Sequence, residues 1–491
     1  MKLMKCAVSG LLVCMLTVVS VAQASDPPLE QEVEWMALLL EGQKTGHLRS
    51  VRTVYPDRVV HEQTVHITIK RSGVSIAMTT IEGSTETRDG KPLAFFARQQ
   101  IGGGEMLIEG VVENGIATVT TDSGGSLQTQ QFPWPEGAML SEALRIATLK
   151  HGLEPDSRFT AKVFIPSSLQ ATEVEVIIGE PETVDLFGVE MELTRTEQVM
   201  DLGQTTTTAV AWVNEDLVPK KMRFSIMGMS LETIACPERC ATAMEEPAEF
   251  FTQAFARSPD DLDNAALATG ITYEISPKGD ADLHFPQSDE QWVELLDDGS
   301  FRIRIQPVRA ATNSSPFEDP DPDPFLGQTR WLQTDAPEIA RLADEARGNA
   351  TAPDQIMQRL ERFVRDYVSD KNLSVGYATA LETARNRSGD CTEHALLLAA
   401  LGRASGIPTR IATGVAYVDR WLGAEDVFVP HAWTQALIDG RWVSYDAALG
   451  GFDAGHIALS YGNGDPWDFY DGVNTLGNFE ITSVTAAPVA P

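Results

Sequence analysis

Hydrophobic and polar positions alternate with a period of two over much of the chain, from about Val33 to Ile305. Examples are residues 65–70, 106–120 and 172–181, with Gly, Pro, Asn and Asp marking the turns between them. Asn114-Gly115 is the dipeptide that favours a two-residue hairpin turn. The pattern predicts a largely antiparallel, β-rich region.

Helical spacing interrupts this pattern twice, at about 137–151 and 246–257. The first interruption suggests a boundary, so we expect two β-rich domains, an N-terminal domain at 25–150 and a second at 151–310. Residues 314–325 then alternate Asp with Pro, a composition that forms neither a ladder nor a helix. The carboxylates suit Ca²⁺, but no Gly places them as ligands in a turn, so an acidic Pro-rich linker at 311–330 is favoured.

The periodicity changes after the linker. Residues 335–347 and 353–369 have helical spacing, and a third helix is predicted from Cys391 to about Ala404, ended by Gly406 and Pro408. Strands are predicted at 409–418, 428–438 and 441–449. Helices followed by strands indicate an α+β domain, which we assign to residues 331–485.

The N-terminus has the features of a signal peptide at residues 1–24. Lys2 and Lys5 precede an apolar run, and Ala22-Gln23-Ala24 offers a cleavage site. The run is shorter than a membrane span, and no later segment offers a second candidate, so we expect no span after cleavage. The sequence therefore predicts a periplasmic or secreted protein.

The formal net charge is −32, without a basic cluster. Such a surface repels nucleic acid and anionic membranes, which excludes both as primary partners. Cys236 and Cys240 stand in CPERC and are expected to form a disulfide in an oxidising compartment. Cys391 is then the unpaired thiol.

Cys391 lies at the predicted start of a helix, behind Ser388-Gly389-Asp390. Unpaired amides and the helix dipole favour a thiolate there, and Asp or Ser caps the first turn. A reactive nucleophile and a small buried core residue are both consistent with this position.

A hairpin supplies the partners for such a nucleophile. If Asp439-Gly440 is a two-residue turn, Trp433 lies opposite Asp446 and His431 opposite Ala448. His431 and Asp446 then share one face as diagonal neighbours, within reach of a hydrogen bond. A carboxylate in that position orients an imidazole and stabilises its protonated form.

Residues 378–448 resemble the core of the transglutaminase-like superfamily, a papain-like Cys-His-Asp fold. The elements that carry the resemblance are RSGDC at the helix start, RASGIPTR after the helix, PHAW opening a strand, and RWVSYD. Asp446 is followed by Ala447-Ala448, where many relatives have Pro-Thr. The resemblance implies Cys391 as nucleophile, His431 as general base and acid, and Asp446 as the orienting group.

Nearby aromatic residues are candidates for substrate binding. Trp433 and Trp442 alternate onto the face of His431, where they wall the cleft or pack in the core. Residues 419–427 are either a lid with an exposed Trp421 or a plain surface loop. We therefore name Trp433 and Trp421 as candidate substrate-binding residues.

A zinc site built from Cys391, His394, His431 and Asp446 is the metal alternative. The mature cysteines offer no second metal-spaced pair, so we expect no metal and no cofactor. Glu393 is expected to be solvated. The sequence thus predicts an exported cysteine-dependent amide hydrolase or acyltransferase that acts on protein or peptide substrates through a thioester. The alternative is a catalytically silent binding or scaffold protein with a partner in the cell envelope.

Overall fold

The computed structural model describes residues 27–71, 74–102, 104–201, 206–226, 229–243, 255–279, 281–308, 321–371, 377–421, 423–466, 472 and 475–486. The predicted signal peptide lies outside the described residues.

The first half of the chain is mostly β-structure. Its elements are β1 (Glu30–Leu40), β2 (Gln43–Val54), β3 (Arg58–Arg71), β4 (Val74–Thr87), β5 (Pro92–Ile101), β6 (Gly104–Glu113), β7 (Ile116–Ser123), β8 (Ser126–Pro133), β9 (Ala138–Met139), α1 (Ser141–His151), β10 (Arg158–Ile165), β11 (Gln170–Asp185), β12 (Glu190–Asp201), β13 (Thr206–Val213), β14 (Pro219–Ile226), β15 (Met229–Ala235) and α2 (Glu238–Ala241).

These strands form one large sheet in the order β8 to β1, then β15 to β9. The pairing is antiparallel except between β9 and β10. Asn114 and Gly115 both have positive φ and join β6 to β7, with Glu113 opposite Ile116, which confirms the predicted hairpin. The predicted division at residue 151 is wrong, because β1 pairs with both β2 and β15 and so joins the two halves.

Helix α1 follows the predicted segment but begins at Ser141, since Ala138–Met139 pair with β10 instead. Its first turn is capped from the sheet: Glu86 Oε1 accepts from the Glu142 amide at 2.8 Å and Glu86 Oε2 from the Ala143 amide at 2.9 Å. Most of the second predicted helix, 246–257, lies outside the described residues, and Ala256–Arg257 form a short strand.

The second half of the chain mixes helices and strands. Its elements are β16 (Ala256–Arg257), α3 (Asn264–Thr269), β17 (Ile271–Pro277), β18 (Gln291–Leu295), β19 (Phe301–Ile305), α4 (Pro337–Arg347), α5 (Pro353–Tyr367), α6 (Ala380–Asn386), α7 (Cys391–Ala404), β20 (Thr409–Trp421), β21 (Ala424–Ile438), β22 (Arg441–Tyr445), β23 (His456–Gly462) and β24 (Phe479–Ala486). The four helices α4 to α7 and the following strands confirm the predicted α+β organisation.

Two smaller sheets complete the fold. One runs β16-β21-β20-β23, with β22 on β21, and the other runs β18-β19-β17-β24. Their facing sides share a buried core that includes Tyr273, Ile303, Phe428 and Ile457. Residues 256–305 therefore belong with the C-terminal domain, which corrects the predicted second domain at 151–310.

The described end of the predicted linker packs on the C-terminal domain. Residues Asp323–Phe325 form a 3₁₀ turn, and the Phe325 ring meets Trp442 edge to face at 5.2 Å. Arg403 Nη1 donates to the Gly327 carbonyl at 2.8 Å. These contacts correct the linker interpretation for residues 321–330, while 309–320 lie outside the described residues.

The large sheet and the helices share one core. Phe95, Ile108 and Val119 of the sheet are buried in the same cluster as the inner faces of α4 to α7. Polar contacts cross the same boundary: Gln333 Nε2 donates to Ser123 Oγ at 3.1 Å, and Arg330 Nη1 to the Ser167 carbonyl at 2.7 Å. The helical domain is therefore fixed against the β-rich region.

Cys236 and Cys240 form a disulfide around α2, as the CPERC spacing predicts. Within the part of the chain that the structure describes, no helix combines the length and apolar character needed to cross a membrane.

Candidate active site

Cys391 is held at the start of a helix that is buried almost throughout. The side chains from Leu396 to Leu401 are 0 % exposed, so α7 is anchored by apolar burial. Asp390 is the N-cap: its Oδ1 accepts from the Thr392 amide at 2.9 Å, and its own amide donates to Glu393 Oε2 at 2.8 Å. This reciprocal capping box fixes the backbone on both sides of Cys391.

Glu393 is buried, which corrects the expectation that it is solvated. It is 0 % exposed, and its Oε1 accepts from the Ala378 amide at 2.8 Å. Burial, followed by the nearby charge of Asp390, raises the pKa of Glu393 to about 8. Gly389 leaves room for it: at φ +154°, a Cβ there would lie 2.3 Å from Glu393 Cβ. The spacing of Asp390 and Glu393, three residues apart at the helix start, is the capping-box signal for this contact. A charged residue type taken alone suggests a solvated side chain, which is why the expectation for Glu393 was wrong.

His431 and Asp446 meet across the hairpin of β21 and β22. Ile438 pairs with Arg441, and the ladder continues to Thr434 opposite Tyr445, in the register that the Asp439-Gly440 turn predicts. His431 Nε2 lies 2.8 Å from Asp446 Oδ2. The other oxygen, Oδ1, accepts from the amides of Ala448 and Leu449 at 2.7 and 3.1 Å. Both carboxylate oxygens therefore have fixed partners.

The electrostatics of this pair favour a protonated imidazole beside an ionised carboxylate. Burial by itself lowers the pKa of His431, but the charge and hydrogen bond of Asp446, with a contribution from Cys391, raise it to about 10. Burial raises the pKa of Asp446, but the charge and hydrogen bonds of His431 and His456 hold it well below its usual range. An oriented, charged histidine is the partner that a thiolate requires.

Cys391 and His431 line the same cavity, of about 160 Å³, and the thiol is close enough to the imidazole to contribute to the raised pKa of His431. Because Nε2 faces Asp446, Nδ1 is the ring nitrogen left for the thiol. The side chain of Cys391 is a free, partly exposed thiol. Gly414 lies opposite His431, where a Cβ would approach the Ile457 carbonyl oxygen to 2.0 Å. Glycine thus permits β20 and β23 to close behind the site.

A second histidine contacts the same carboxylate. His456 Nε2 lies 3.1 Å from Asp446 Oδ2, and its Nδ1 lies 3.0 Å from Asp453 Oδ1. Burial lowers the pKa of His456, but hydrogen bonds to Asp446 and Asp453 raise it to about 9. Local spacing in the sequence does not identify His456 and Asp453 as site residues, because their approach depends on the pairing of β23 with β20.

Side chains from distant segments support the strand that carries Asp446. Glu361 Oε1 accepts from the Asp446 amide at 2.8 Å. Asp289 Oδ2 and Glu290 Oε2 accept from the amides of Trp442 and Ser444, each at 2.9 Å. These carboxylates accept hydrogen bonds from backbone amides on the edge of β22 that does not pair with β21. Asp446 is therefore positioned by β21 on one side of its strand and by these carboxylates on the other.

Neither candidate substrate-binding tryptophan lines the cavity at Cys391. Trp433 is 2 % exposed, stacks beside His431 with ring centroids 6.2 Å apart, and donates from Nε1 to Ser444 Oγ at 3.2 Å. It supports the imidazole and does not line the cavity. Trp421 pairs with Ala424 at the far end of the β20–β21 hairpin, seven residues from Gly414 and roughly 23 Å along the strand. Strands β20 and β21 extend through most of 419–427, which corrects the lid interpretation.

The structure does not assemble the four-residue zinc set. His394 is 1 % exposed and turns its Nδ1 toward the Asp390 carbonyl of its own helix at 2.5 Å. Among the described residues, the group able to hold a metal ion is His431, Asp446 and His456, whose ligand atoms lie within 4.8 Å of one another. All three side chains are buried, and the group includes neither Cys391 nor His394 of the predicted zinc set.

A helix-borne cysteine packed against a sheet that carries a His–Asp pair is the arrangement of the papain-like fold class. Residues 340–447 match the family model of the transglutaminase-like superfamily. This range includes Cys391, His431 and Asp446. The protein therefore contains a transglutaminase-like domain, as the motifs predicted.

Three solved structures show weaker likeness. A candidate cysteine protease from Cytophaga hutchinsonii is 20 % identical, with a TM-score of 0.29, over 45 % of this chain and 84 % of that one. A beta-barrel-like protein of a domain of unknown function from Brucella abortus is 11 % identical, with a TM-score of 0.32, over 43 % and 97 %. A candidate protease from Parabacteroides distasonis is 12 % identical, with a TM-score of 0.19, over 73 % and 68 %. A comparison with curated proteins finds no match.

Proposed function

We propose that this protein is a cysteine-dependent amide hydrolase or acyltransferase that acts on protein or peptide substrates through Cys391, His431 and Asp446. The observation that carries the proposal is geometric: Cys391 and His431 line one cavity, and His431 Nε2 is bound to Asp446 Oδ2 at 2.8 Å. This is the order of nucleophile, base and orienting group that covalent catalysis needs.

In the first half-reaction the Cys391 thiolate attacks the carbonyl carbon of the amide, and a C–S bond forms. As the C–N bond breaks, His431 gives the proton on Nδ1 to the departing nitrogen, leaving a thioester and a free amine. The Cys391 amide is available to the developing oxyanion, because the Asp390 cap takes the amides of Thr392 and Glu393.

In the second half-reaction water or a primary amine attacks the thioester. His431 accepts a proton from the nucleophile, the C–S bond breaks, and the thiolate–imidazolium pair returns. Water yields a carboxylic acid, and an amine yields a new amide. The cavity of about 160 Å³ is small beside pockets for drug-sized ligands, so it suits a single side chain or a narrow segment of peptide.

We further infer that the protein acts in the periplasm or outside the cell. The signal-peptide pattern of residues 1–24 and the CPERC disulfide both support export.

A trapping experiment tests the reaction. The wild type, Cys391→Ala and Cys391→Ser are incubated with envelope protein extract and a biotinylated primary amine. We expect wild-type-dependent incorporation into protein, or cleavage of specific proteins, and loss of both in the two variants. Equal labelling and cleavage with all three proteins contradicts the proposal.

The second candidate function is a catalytically silent binding protein of the cell envelope. The large β sheet, which shares its core with the helices, favours this candidate as a surface for partners. If the protein is such a binding protein, the Cys391→Ala variant retains every partner that the wild type recovers, and no thioester forms on Cys391 of the wild type.

A further inference from the structure

A second and larger cavity lies in the β-rich region. It has a volume of about 540 Å³ and is lined by α1 together with strands from both halves of the large sheet. None of its lining residues belongs to the cavity at Cys391. This volume is within the range of pockets that bind small molecules, roughly 300–1,000 Å³.

One wall of this cavity is largely apolar. Its apolar side chains come from α1 and from strands β10 to β12, namely Leu144, Val163, Val174, Val176 and Met200, and Thr172, Thr196 and Gln198 lie among them. The alternating positions 172, 174 and 176 of β11 and 196, 198 and 200 of β12 all face it, so the wall is a regular sheet surface. Such a surface gains free energy when an apolar ligand covers it.

The charged groups of the lining favour a cation. They comprise five carboxylates (Glu32, Glu34, Glu62, Glu82, Asp216) and two arginines (Arg52, Arg145), a formal balance of −3 with His61 neutral. Arg52 already binds Glu142 through Nε and Nη2, each at 2.9 Å. Arg145 Nη1 lies 3.8 Å from the same carboxylate. Both arginines therefore lie beside Glu142, which offsets part of their charge.

Glu82 is the half-buried lining carboxylate that has no cation partner among the described residues; Asp216, which also has no ion pair there, is exposed. Glu82 Oε1 accepts from the Ser167 amide at 3.1 Å, and no basic side chain pairs with it in the described part of the chain. Glu34, by contrast, is paired with Lys220 at 2.7 Å, and Glu62 with Arg49 at 3.1 Å. Burial raises the pKa of Glu82, which is the expected effect on a half-buried acid that lacks a counter-charge.

We propose that this cavity binds a small amphipathic cation, with a primary ammonium group on Glu82 and an apolar tail along the wall of α1 and β10 to β12. The ammonium supplies the missing counter-charge and donates to Glu82 Oε2, while the tail covers apolar surface. This site is independent of the reaction proposed for Cys391.

The test uses three probes with the same ten-carbon chain: decylamine, decanol and decanoate. Each is titrated calorimetrically into the full-length protein in about 0.15 M salt, which screens attraction to the acidic surface, and below its aggregation concentration. We expect one decylamine per chain, bound at least about tenfold more tightly than decanoate, since only the amine can form a charge-assisted hydrogen bond to Glu82. Equal binding of the amine and the carboxylate overturns the proposal.

Three variants locate the head group. Glu82→Gln is expected to weaken decylamine binding about tenfold and leave decanol unchanged. Its amide oxygen still accepts from Ser167, so the fold is retained. Glu82→Asp keeps the charge and is expected to keep the preference for the amine. Glu109→Gln removes an exposed carboxylate outside the cavity and is expected to have no effect. Unchanged selectivity in Glu82→Gln, or equal losses in Glu82→Gln and Glu109→Gln, means that the amine binds the acidic surface instead.

Discussion

His456 Nε2 lies 3.1 Å from Asp446 Oδ2, the oxygen that also binds His431 Nε2 at 2.8 Å. One buried carboxylate oxygen thus holds two histidines. His456 is itself tied to Asp453, so Asp446 is held by a chain of charged partners that ends near the surface. We therefore expect the orientation of His431 to depend on His456, a residue outside the three that the sequence motifs identify.

Replacing His456 tests this dependence. In His456→Leu, Asp446 Oδ2 keeps His431 as its one partner and loses the second. The His431–Asp446 pair is then less firmly positioned, so we expect alkylation of Cys391 by iodoacetamide to slow about tenfold or more. His456→Gln keeps a donor and is expected to recover much of the rate. The measurement is the second-order alkylation rate constant, followed by mass spectrometry.

The control for that series is His284→Leu, because His284 lies in the same domain and none of its polar contacts reaches the Cys391 site. Rates that are equal in His456→Leu and the wild type, with both proteins folded, would show that His456 does not position the site. Failure of wild-type Cys391 to react would instead argue against the nucleophile itself.

The pH dependence of stability should follow the His431–Asp446 pair. The pKa of His431 is raised from 6.5 to about 10 and that of His456 to about 9. A raised histidine pKa contributes stability that is complete below 6.5 and is lost as the pH rises toward 10. The lowered pKa of Asp446 contributes above about pH 4 and is lost as the pH falls.

We therefore expect Asp446→Asn to lower the free energy of unfolding most at pH 5–6, by about 3–5 kcal/mol, the usual cost of breaking a buried ion pair. The difference from the wild type should shrink steadily between pH 7 and 10. Denaturant unfolding at pH 5.5, 8 and 10 measures it. A difference that grows with pH would contradict the charge assignment.

Gly389→Ala tests the packing behind the nucleophile. A Cβ at this position would lie 2.3 Å from Glu393 Cβ, so Glu393 must move and the capping box must break. We expect a loss of about 2–4 kcal/mol of stability and a strong loss of Cys391 reactivity. Gly451→Ala is the matched control, because Gly451 has a similar φ of +141° and nothing within 4 Å of the added Cβ. Equal effects of the two changes would mean that backbone strain alone is responsible.

The thiol content of exported protein provides another check. We expect mass analysis without reductant to find Cys236 joined to Cys240 and Cys391 free, because the first two form a disulfide and the third is a free thiol. Two or more free thiols in native exported material would contradict this division of the cysteines.

The β21–β22 hairpin is a part of the site whose geometry the local sequence pattern predicts. Asp439-Gly440 fixes the register of β21 on β22, and a period of two then places His431 and Asp446 on one face, so this contact follows from sequence. Helix α7 and its cap likewise follow from Asp390 and the apolar run. The sequence does not predict whether Trp433 and Trp421 line the cavity, because alternation assigns a side chain to one face of a strand but does not show what packs on that face.

What the sequence by itself determined is the local geometry: strands, helices, one turn and the three residues of the candidate site. Only the tertiary structure decided that residues 256–305 join the C-terminal domain, that His456 and Glu290 support the site, and that one sheet crosses residue 151. The physical reason is range. Propensity and periodicity act over a few residues, whereas pairing of β23 with β20, or of β1 with β15, is chosen by burial of the whole chain.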